Sequence, residues 1–459
     1  MATKPTTANF VANSVQIMNA IRNDGSPNYQ NYVPVANSSL ESVREIGAII
    51  MEHEAIRNEF LHSLLNRIGL VVIKSRLYTN PLAFFKKGFL DAGETIEEIF
   101  VNLAKPQTYD PARAESEVFK REFPDVRTAF HHLNYRTFYK ETIQNNELRL
   151  AFLTWEGVTD LIAKIVEAMY TSANYDELLI MKYMIVRNVL DGRMKSIQTS
   201  QIMAGNMNDI AKTFKATSNA IEFMSSAYNP AGVRNFSKKE TQYLLLDSTV
   251  DAAFDVDVLA SAFNMNKADF LGHRILVDSF ANLDIPRLQE IFADAPEAIR
   301  IPTQEELDSI ANNLVGVLID RDWFMIYDHL MEFTEIYNSQ GLYWNYFLHV
   351  WKVFSVSPFE TAISFVGVKP GVTSVTVSPQ TATVYPGSTI SLTPTVVTTG
   401  FANKSLQWEI TSGDQYAEVD IYGTVTIKPN APNTTEITVK ATSVFDPSKT
   451  TNVTLTVSA

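Results

Sequence analysis

The 459-residue sequence contains no cysteine, and this absence removes several kinds of chemistry. Without thiols the chain can form neither disulfides nor zinc–thiolate sites, and it has no thiolate nucleophile. A chain without disulfides fits a reducing compartment. The sequence also has no apolar run near the ~20 residues that a membrane-spanning helix needs. Its first seven residues lack the basic stretch and apolar core of a signal peptide, so we expect no membrane partner.

Positive charge is scarce as well. The chain has 38 lysines and arginines against 51 aspartates and glutamates, which gives a formal net charge of -13. A general nucleic-acid binder normally carries a basic face, so the composition argues against that class, although a protein can enclose nucleic acid without gripping it. The hydrophobic content of 46% permits sizeable cores. The length exceeds what one core usually organises, so two or more domains are expected.

The composition changes near Gly371. Upstream, the chain is rich in charge, aromatic residues and helical periodicity, and it ends in a dense aromatic run at 341–351. Downstream, it is rich in Thr and Val, sparse in charge, and alternates apolar and polar residues. The change predicts a large mixed domain followed by a small all-β module.

Seven short alternating patterns after Gly371 predict strands, because alternation puts the apolar side chains on one face. They are Val375/Val377, Ile390/Leu392/Pro394/Val396, Leu406/Trp408/Ile410, Val419/Ile421, Val425/Ile427, Ile437/Val439/Ala441 and Val453/Leu455/Val457. Turn residues at 386–387, 422–423 and 429–433 lie between them. Seven strands in a module of this size indicate an immunoglobulin-like sandwich, with Trp408 as its central core residue.

This C-terminal segment resembles the bacterial immunoglobulin-like group 2 family. The residues that carry the resemblance are Val375–Pro379, Tyr385–Ser388, Trp408, Val419–Asp420, Gly423–Val425 and Ile437–Thr442. The resemblance implies a binding or spacer module and not a catalyst. Sequons begin at Asn403, Asn433 and Asn452. We interpret them as ordinary polar turn and strand-edge residues, because the secretion signal that glycosylation requires is missing.

The part before Gly371 mixes helical and strand patterns. The first forty or so residues predict an extended arm, in which residues 23–27 break any helix. A helical pattern over 43–68 leads to a stop at Gly69 and a buried strand at 70–73. Residues 76–130 form a long excursion, and excursions of this length are usually functional or involve a partner.

More elements are predicted beyond this excursion. Helices are expected at 161–169, at 178–189 with a stop near Gly192, at 256–263, and within the acidic stretch 286–313. Strands are expected at 243–246, 275–277 and 315–319, and the aromatic run continuing to 366 favours a long strand. Residues 196–234 are polar and predict a loop or a mobile helix.

Two acidic groups could carry acid–base or metal chemistry. Glu94, Glu97 and Glu98 are spaced as neighbours on one helical face, which is more typical of a solvated or intersubunit charge surface than of a catalytic carboxylate pair. Asp255 and Asp257 lack the further carboxylate and glycine spacing of a cation site, so they fit helix capping.

Two further groups have equally simple interpretations. His131 and His132 are adjacent, do not share a helical face, and are followed by no clear third metal ligand. Asp320, Asp322 and Asp328 surround an aromatic pair and fit the ends of a strand or hairpin. No phosphate-binding loop, zinc-protease motif or nucleophile elbow occurs. The sequence therefore predicts no catalytic residue, no metal and no cofactor, and hence not an enzyme.

The large part of the chain resembles the major capsid (head) proteins of phi-29-type short-tailed bacteriophages. The resemblance covers nearly the whole chain, including the appended module, and rests on scattered stretches. They are Asn80–Leu82, Phe85–Gly88, Thr95–Ile99, Tyr109–Asp110, Val118–Phe119, Arg121–Glu122, Phe130–His131, Thr142–Gln144, Asp255–Ala260, Ala262–Asn266, Asp269–Gly272, Asp320–Met325, Gly341–Val350 and Ser355–Ser357. Residues 283–313 look like additional helical sequence, and 196–235 match poorly.

The resemblance implies an α+β class and the tailed-phage capsid fold of the Hong Kong 97 type. That fold has an N-terminal arm, an extended E-loop, a P-domain with a long spine helix, and an A-domain. Mapped by order, residues 1–370 would be the shell domain and 371–459 the immunoglobulin-like domain. Within the shell, the E-loop region would occupy about 76–130, the P-domain about 144–191 and 341–366, and the A-domain mainly about 195–340.

The function implied by the resemblance is a structural subunit that assembles into the head around a double-stranded DNA genome. Its expected partners are its own copies as pentamers and hexamers, scaffolding protein and portal, with DNA enclosed without sequence-specific binding and host glycans as a candidate contact of the module. Assembly would occur in the host cytoplasm, and the protein would reside in the virion. The residues predicted to contact neighbouring subunits are Phe84, Phe85, Lys86, Lys87, Glu97 and Glu98.

Three other classes stay open at this point. A bacterial adhesin ending in the same module predicts a secretion signal or wall anchor. A carbohydrate-active enzyme predicts a convincing carboxylate pair in a cleft. Another virion protein, such as a head fibre or tail protein, would share the setting but would not form closed shells.

Overall fold

A computed structural model describes residues 14–37, 39–60, 63, 78–90, 93–111, 119–144, 157–201, 206–254 and 273–458. The predictions for Gly69, for the strand at 70–73, for the helix at 256–263 and for Asp255 and Asp257 lie outside these residues. Contacts divide the chain into two compact units. The first unit comprises Met1–Gly93, Leu133–Leu179 and Tyr327–Val353, and the second comprises Glu94–His132, Ile180–Ile326 and Phe354–Ala459.

The N-terminal part of the first unit is helical, so the prediction of an extended arm is wrong for the residues described. Its helices are α1 (Ser14–Asp24), α2 (Pro27–Tyr32) and α3 (Leu40–Glu52). The predicted break is confirmed, since α1 ends at Asp24. The Ser26 hydroxyl then caps α2 by accepting from the Tyr29 N–H at 3.2 Å. The helical prediction over 43–68 is confirmed for α3 and for residues 54–60, with an interruption at His53.

Side chains of α1 hold the turn that follows it. Arg22 donates from Nε to the Val33 carbonyl at 2.6 Å and from Nη2 to the Gln30 carbonyl at 3.0 Å. Asn19 bonds both the carbonyl and the N–H of Ala36, at 2.9 and 2.8 Å. These contacts hold residues 30–36 against α1. The polar sequence of this segment alone does not indicate such side-chain to backbone hydrogen bonds.

A single helix of 34 residues, α4 (Gly157–Leu190), replaces the two helices predicted for this stretch. The sequence suggested a break because the middle of α4 is polar. Two of its acidic residues are instead buried and hydrogen-bonded: Asp176 accepts from the Tyr139 hydroxyl at 2.7 Å, and Glu177 accepts from the Asn80 amide at 2.7 Å. Since these polar groups have internal partners, the helix continues through them.

The first unit contains a four-stranded sheet in the order β1-β9-β10-β4. Its strands are β1 (Gly88–Phe89), β4 (Tyr135–Gln144), β9 (Phe324–Asn338) and β10 (Tyr343–Val356). β4 lies antiparallel to β10, and β1 lies parallel to β9. The aromatic run is thus strand, as predicted. The predicted long strand is however divided, because β10 ends at Val356 and β11 (Ala362–Val366) belongs to another sheet.

The second unit is built on a five-stranded sheet in the order β5-β11-β8-β6-β7. Besides β11 it contains β5 (Lys195–Gln198), β6 (Gln242–Asp247), β7 (Arg274–Val277) and β8 (Leu314–Asp320), which confirms the strands predicted at 243–246, 275–277 and 315–319. Helix α5 (Met207–Ala220) covers one face, with the Phe214 and Phe365 rings 4.5 Å apart in the core.

Three further helices of the second unit are α6 (Ser248–Phe254), α7 (Ile285–Ile291) and α8 (Gln304–Asn313). Helices α7 and α8 confirm the helical prediction for 286–313, although a turn at 296–298 separates them. The loop or mobile helix expected at 196–234 contains the rest of β5 and the whole of α5, followed by turns. Among the helices that the structure describes, none has the length and apolar character needed to cross a bilayer.

The C-terminal part is all β. Its nine strands are β12 (Gly371–Ser378), β13 (Thr381–Val384), β14 (Thr389–Ser391), β15 (Thr393–Thr399), β16 (Leu406–Ser412), β17 (Ala417–Val419), β18 (Thr424–Ile427), β19 (Glu436–Ser443) and β20 (Thr450–Val457). They form sheets β12-β15, β13-β20-β19-β16 and β14-β18-β17. The pattern 390–396 covers two strands, and β13 was not predicted.

Trp408 is not the central core residue that the sequence suggested. Its indole is only partly buried and lies over the turn at Gly423, where an added Cβ would come within 2.7 Å of the ring. The centre of the core consists of smaller aliphatic residues that are fully buried. They are Val425, Ile427, Ile437, Val439, Ala441, Val453 and Leu455.

The loop between β15 and β16 seats the C-terminal module on the rest of the second unit. The Phe401 carbonyl accepts a hydrogen bond of 2.7 Å from the Ser196 hydroxyl, and Ala402 is fully buried. A Cβ at Gly192, just after α4, would come within 2.4 Å of the Ala402 carbonyl oxygen. Burial lowers the pKa of Lys404, although Asp191 and Glu306 act in the opposite direction. Asn403, the first of the sequon positions, is half-buried beside this seat.

Candidate functional site

A long hairpin of the second unit exposes many of its side chains. Its strands β2 (Thr95–Val101) and β3 (Val126–His132) pair antiparallel, with Glu97 opposite Phe130 and Ile99 opposite Thr128. Adjacent residues of a strand point to opposite faces. Glu97 and Glu98 therefore lie on different faces of β2, which corrects the prediction that Glu94, Glu97 and Glu98 share a helical face.

One face of the hairpin exposes apolar side chains together with Glu97. Ile99 is 56% exposed, Val101 61% and Phe130 57%, and Val126 lies directly opposite Val101. We call these four apolar residues the exposed hairpin face. Four more large side chains are exposed in the segment that joins the strands: Leu103, Tyr109, Phe119 and Phe123. Soluble monomers rarely present so many neighbouring apolar side chains to water, so this surface is suited to a macromolecular partner.

The other face of the hairpin is anchored at its base by Glu98. The carboxylate Oε1 accepts a hydrogen bond of 2.7 Å from the Ser357 hydroxyl, and Oε2 lies 3.1 Å from His131 Nε2. The other imidazole nitrogen of His131 lies 2.7 Å from the Ser355 hydroxyl. His131 is buried, and the Phe100 ring packs 5.7 Å from that of Phe359. The segment 355–361, which comprises the end of β10 and the link to β11, thus holds the hairpin in place.

Glu360, within the same segment, is an acid with an unusual environment. Burial, followed by the carboxylates of Asp320 and Asp322, raises the pKa of Glu360 to about 7. The carboxylate of Glu98 acts in the same direction, while the hydrogen bond that Asn235 Nδ2 donates to Glu360 at 3.0 Å opposes the shift. The base of the hairpin therefore contains a group that changes charge near neutral pH.

Four of the residues predicted to contact neighbouring subunits belong to a different region. Residues 83–85 form a short 3-10 turn in the first unit, in which Phe84 is exposed but Phe85 is buried. Lys86 lies 2.6 Å from Asp328 and 3.2 Å from Glu177 in its own chain, and Lys87 is half-buried. Phe85 and Lys86 thus make contacts within their own chain. Of the six residues predicted to contact neighbouring subunits, Glu98 also makes such internal contacts.

The other acidic and histidine candidates have structural positions. Asp320 ends β8 and accepts from the Thr241 hydroxyl at 2.6 Å, while Asp322 lies in the following turn, in agreement with the prediction of strand ends. Asp328 lies within β9. His132 is exposed at the end of β3, next to the Glu98 partner His131. Within the described ranges, no group of three or more metal-ligating side chains has the arrangement of a metal site.

The exposed hairpin face was missed in the sequence. The segment 95–101 has apolar residues at both odd and even positions, namely Ile96, Ile99, Phe100 and Val101. Such a pattern indicates a strand covered on both faces. In the isolated chain only one face of this strand is covered by the rest of the protein. The apolar residues on its other face were therefore the sequence signal for an interface.

Comparison with known proteins agrees with this picture. Residues 18–366 match the model of the Phi29-like phage major capsid protein family, and residues 371–452 match that of the bacterial Ig-like domain (group 2). The major capsid protein of Bacillus phage B103 is 38% identical over 438 residues, which are 94% of this chain and 90% of the relative. That of Bacillus phage PZA is 36% identical over 437 residues, with the same coverage of 94% and 90%.

A solved structure shares the fold at lower sequence identity. A chain in the structure of the head fiber and inner core protein gp22 of native bacteriophage P68 has a TM-score of 0.50 and 16% identity. The likeness covers 64% of this chain and 86% of that chain.

Proposed function

Since the chain belongs to the Phi29-like phage major capsid protein family, we propose that its exposed hairpin face is a surface through which copies of it assemble into a phage head. The protein is a structural component of the phage capsid. Its larger part has the tailed-phage capsid fold of the Hong Kong 97 type, and its C-terminal part is an immunoglobulin-like module. The observation that carries the proposal is the row of apolar side chains that the isolated chain leaves in water.

The physical argument is one of repeated weak contacts. Burying an apolar side chain contributes about 1 to 2 kcal/mol. One hairpin therefore provides a weak contact, but many such contacts in a closed shell reinforce each other through effective concentration. Among the residues predicted to contact neighbours, Phe84, Lys87 and Glu97 are the ones with surface available for this role. Phe85, Lys86 and Glu98 would act indirectly, by fixing the elements that carry the contacts.

The finer assignments follow the family resemblance. We assign residues 1–370 to the shell domain and 371–459 to the immunoglobulin-like domain, with the E-loop region at about 76–130. The P-domain would occupy about 144–191 and 341–366, and the A-domain mainly about 195–340. The long hairpin supports the E-loop assignment, and α4 supports that of a spine helix.

The partners follow from the same role. A head subunit would form pentamers and hexamers, assemble in the host cytoplasm with scaffolding protein and portal, and enclose double-stranded DNA without sequence-specific binding. The net charge of -13 supports weak contact with packaged DNA, since basic side chains dominate phosphate binding. The role is structural and not enzymatic. Contact with host glycans would belong to the C-terminal module.

The test replaces Ile99 and Phe130 by serine in one chain. We expect the double variant to fold, because both side chains are exposed, and to lose closed shells in electron micrographs of an assembly reaction that includes scaffolding protein. The matched control is Ile421→Ser, which replaces another exposed apolar residue, in a turn of the module. Normal shells from the double variant, or equal defects in both proteins, would contradict the proposal.

A further inference from the structure

A loop of the second unit exposes three large apolar side chains that lie side by side. Phe223 is 74% exposed, Met224 55% and Phe236 40%. The backbone brings them together, because Ser225 and Asn235 exchange N–H to carbonyl hydrogen bonds of 3.0 and 3.2 Å. Neighbouring apolar side chains that stay in water are typical of a surface that a partner covers.

Lysines lie around this apolar loop. Lys239 donates a hydrogen bond of 2.6 Å to the Ser218 hydroxyl, which holds the loop against the end of α5. Lys215, one turn earlier on α5, and Lys238 are both exposed. Neither of these two has an ion-pair partner in the part of the chain that the structure describes. We call Lys215, Lys238 and the three apolar residues the basic loop.

A second exposed surface of the same unit carries the opposite charge. Asp294 and Glu297 lie in the link between α7 and α8, and Glu305 lies in the first turn of α8. All three are exposed, and none has an ion-pair partner among the residues described. Arg300, in the same link, is paired with Glu306 at 3.1 Å. We call the three acids the acidic link, and the small apolar residues exposed beside them are Ala293, Pro296 and Ala298.

The two surfaces are attached at opposite ends of the five-stranded sheet. The basic loop leads into β6, whose first residue Gln242 pairs with Asp320 at the end of β8. The acidic link leads through α8, which ends at Asn313, into the start of β8 at Leu314. Since β6 and β8 are antiparallel, the start of β8 lies at the end of the sheet away from Gln242. The unpaired charges of both surfaces are therefore available to another molecule.

We propose that the basic loop of one copy docks on the acidic link of the next copy, so that the chains associate head to tail. The inference rests on the proposed role as a capsid subunit, but it concerns a surface distinct from the exposed hairpin face. Charge complementarity supports a second copy as the occupant, because lysines beside large apolar side chains meet carboxylates beside small ones. A contact between two different patches of identical chains produces a ring when the rotation between copies closes.

Charge reversal with rescue tests the pairing in the full-length chain. Lys215→Glu combined with Lys238→Glu places like charges at the contact, so we expect about tenfold fewer particles in an assembly reaction that includes scaffolding protein. Asp294→Lys combined with Glu297→Lys should cause a similar loss, and all four changes together should restore assembly.

The matched control replaces two lysines outside the basic loop. Lys369→Glu combined with Lys449→Glu makes the same change in net charge and should assemble normally. A control that fails as badly as the lysine variant would assign the defect to total charge and would overturn the proposal.

Cross-linking shows the direction of the contact. The natural chain has no cysteine, so a bifunctional thiol reagent joins only cysteines that are introduced. Met224→Cys and Ala298→Cys in the same chain should give a ladder of cross-linked oligomers when assembled particles are run on a denaturing gel. Either substitution alone should give monomers only. Both positions are exposed, so this measurement does not depend on whether the charge variants fold.

Three other outcomes would overturn the assignment. Cross-linked dimers from Met224→Cys alone would show that the loop pairs with itself. Normal assembly of the lysine variant would show that its charges are not at a contact. A defect that the acidic variant does not rescue would mean that the lysines bind a different acidic partner. Failure of the hairpin proposal is distinguishable, because normal shells from the Ile99 and Phe130 variant would leave the cross-linked ladder unchanged.

Discussion

The Ser357 hydroxyl donates a hydrogen bond of 2.7 Å to the Glu98 carboxylate, and this contact connects the base of the surface hairpin to a buried segment. Ser357 is completely buried, and its backbone N–H donates to the Trp323 carbonyl at 2.8 Å. The orientation of the exposed hairpin face therefore depends on polar groups that lie far from its tip.

Replacement of Glu98 by alanine tests this dependence. The change leaves the Ser357 hydroxyl and one nitrogen of His131 without their acceptor, and an unsatisfied buried polar group costs about 1 to 3 kcal/mol. We expect the free energy of unfolding in urea to fall by that amount and amide hydrogen exchange in β2 and β3 to accelerate. Glu97→Ala is the matched control, because Glu97 is the neighbouring carboxylate on the exposed face. Equal effects of the two substitutions would show that Glu98 does not anchor the hairpin.

Glu360 makes the stability of the protein depend on pH. Its pKa is raised from the usual 4.5 to about 7 in the folded chain, so the folded state binds the proton more tightly than the unfolded state. The free energy of unfolding should therefore fall by on the order of 3 kcal/mol as pH rises from about 4.5 to 7, and it should level off above that pH. Urea unfolding of wild type and Glu360→Gln at pH 5 and pH 8 measures this. We expect the variant to be more stable than wild type at pH 8 and similar at pH 5, and a stability difference that does not change with pH would argue against the raised pKa.

Gly192 should tolerate no side chain. Its φ of +66° disfavours other residues, and an added Cβ would lie 2.4 Å from the Ala402 carbonyl oxygen. Gly232→Ala is a close control, since Gly232 has a φ of +65° with nothing within 4 Å of the added atom. We expect the control to lose about 1 to 2 kcal/mol from backbone strain. Gly192→Ala should lose about 2 kcal/mol more, because backbone atoms must move. Equal losses of stability for the two variants in thermal or urea unfolding would mean that the C-terminal module does not pack tightly against Gly192.

The central strands of the five-stranded sheet, β6, β8 and β11, could be predicted because they are largely buried on both sides. β8 is buried at every position and appears in the sequence as a short apolar run. The strands of the C-terminal module could also be predicted from the sequence. Each sheet of a sandwich has one face in the core and one in water, so apolar and polar residues alternate along β12, β16, β19 and β20. In these elements the local pattern and the tertiary environment agree.

The wrong predictions concern elements whose conformation depends on contacts with residues distant in sequence. The middle of α4 looks like a helix break until Tyr139 and Asn80 are known to satisfy Asp176 and Glu177. Glu97 and Glu98 fit a helix by spacing, but β3 pairs with them from some thirty residues away and makes the segment a strand. Trp408 was predicted to be the central core residue, but its ring packs on the turn at Gly423, at the margin of the core.

The candidate sites were predictable only in part. The excursion could be identified as functional from its length, but the exposure of Ile99 and Phe130 depends on which face of the hairpin the rest of the chain covers. Lys86 was predicted to contact a neighbouring subunit, yet its ammonium group pairs with Glu177 and Asp328 of its own chain.

The seating of the loop at Phe401 and Ala402 has a practical consequence. A module fixed to its support by a buried loop points in one direction in every copy of the chain, unlike a domain on a flexible tether. Ile421 and Tyr422 form an exposed turn of this module. A peptide epitope inserted between them would be presented in a uniform orientation and, on an assembled particle, in a regular array suited to display on nanoparticles.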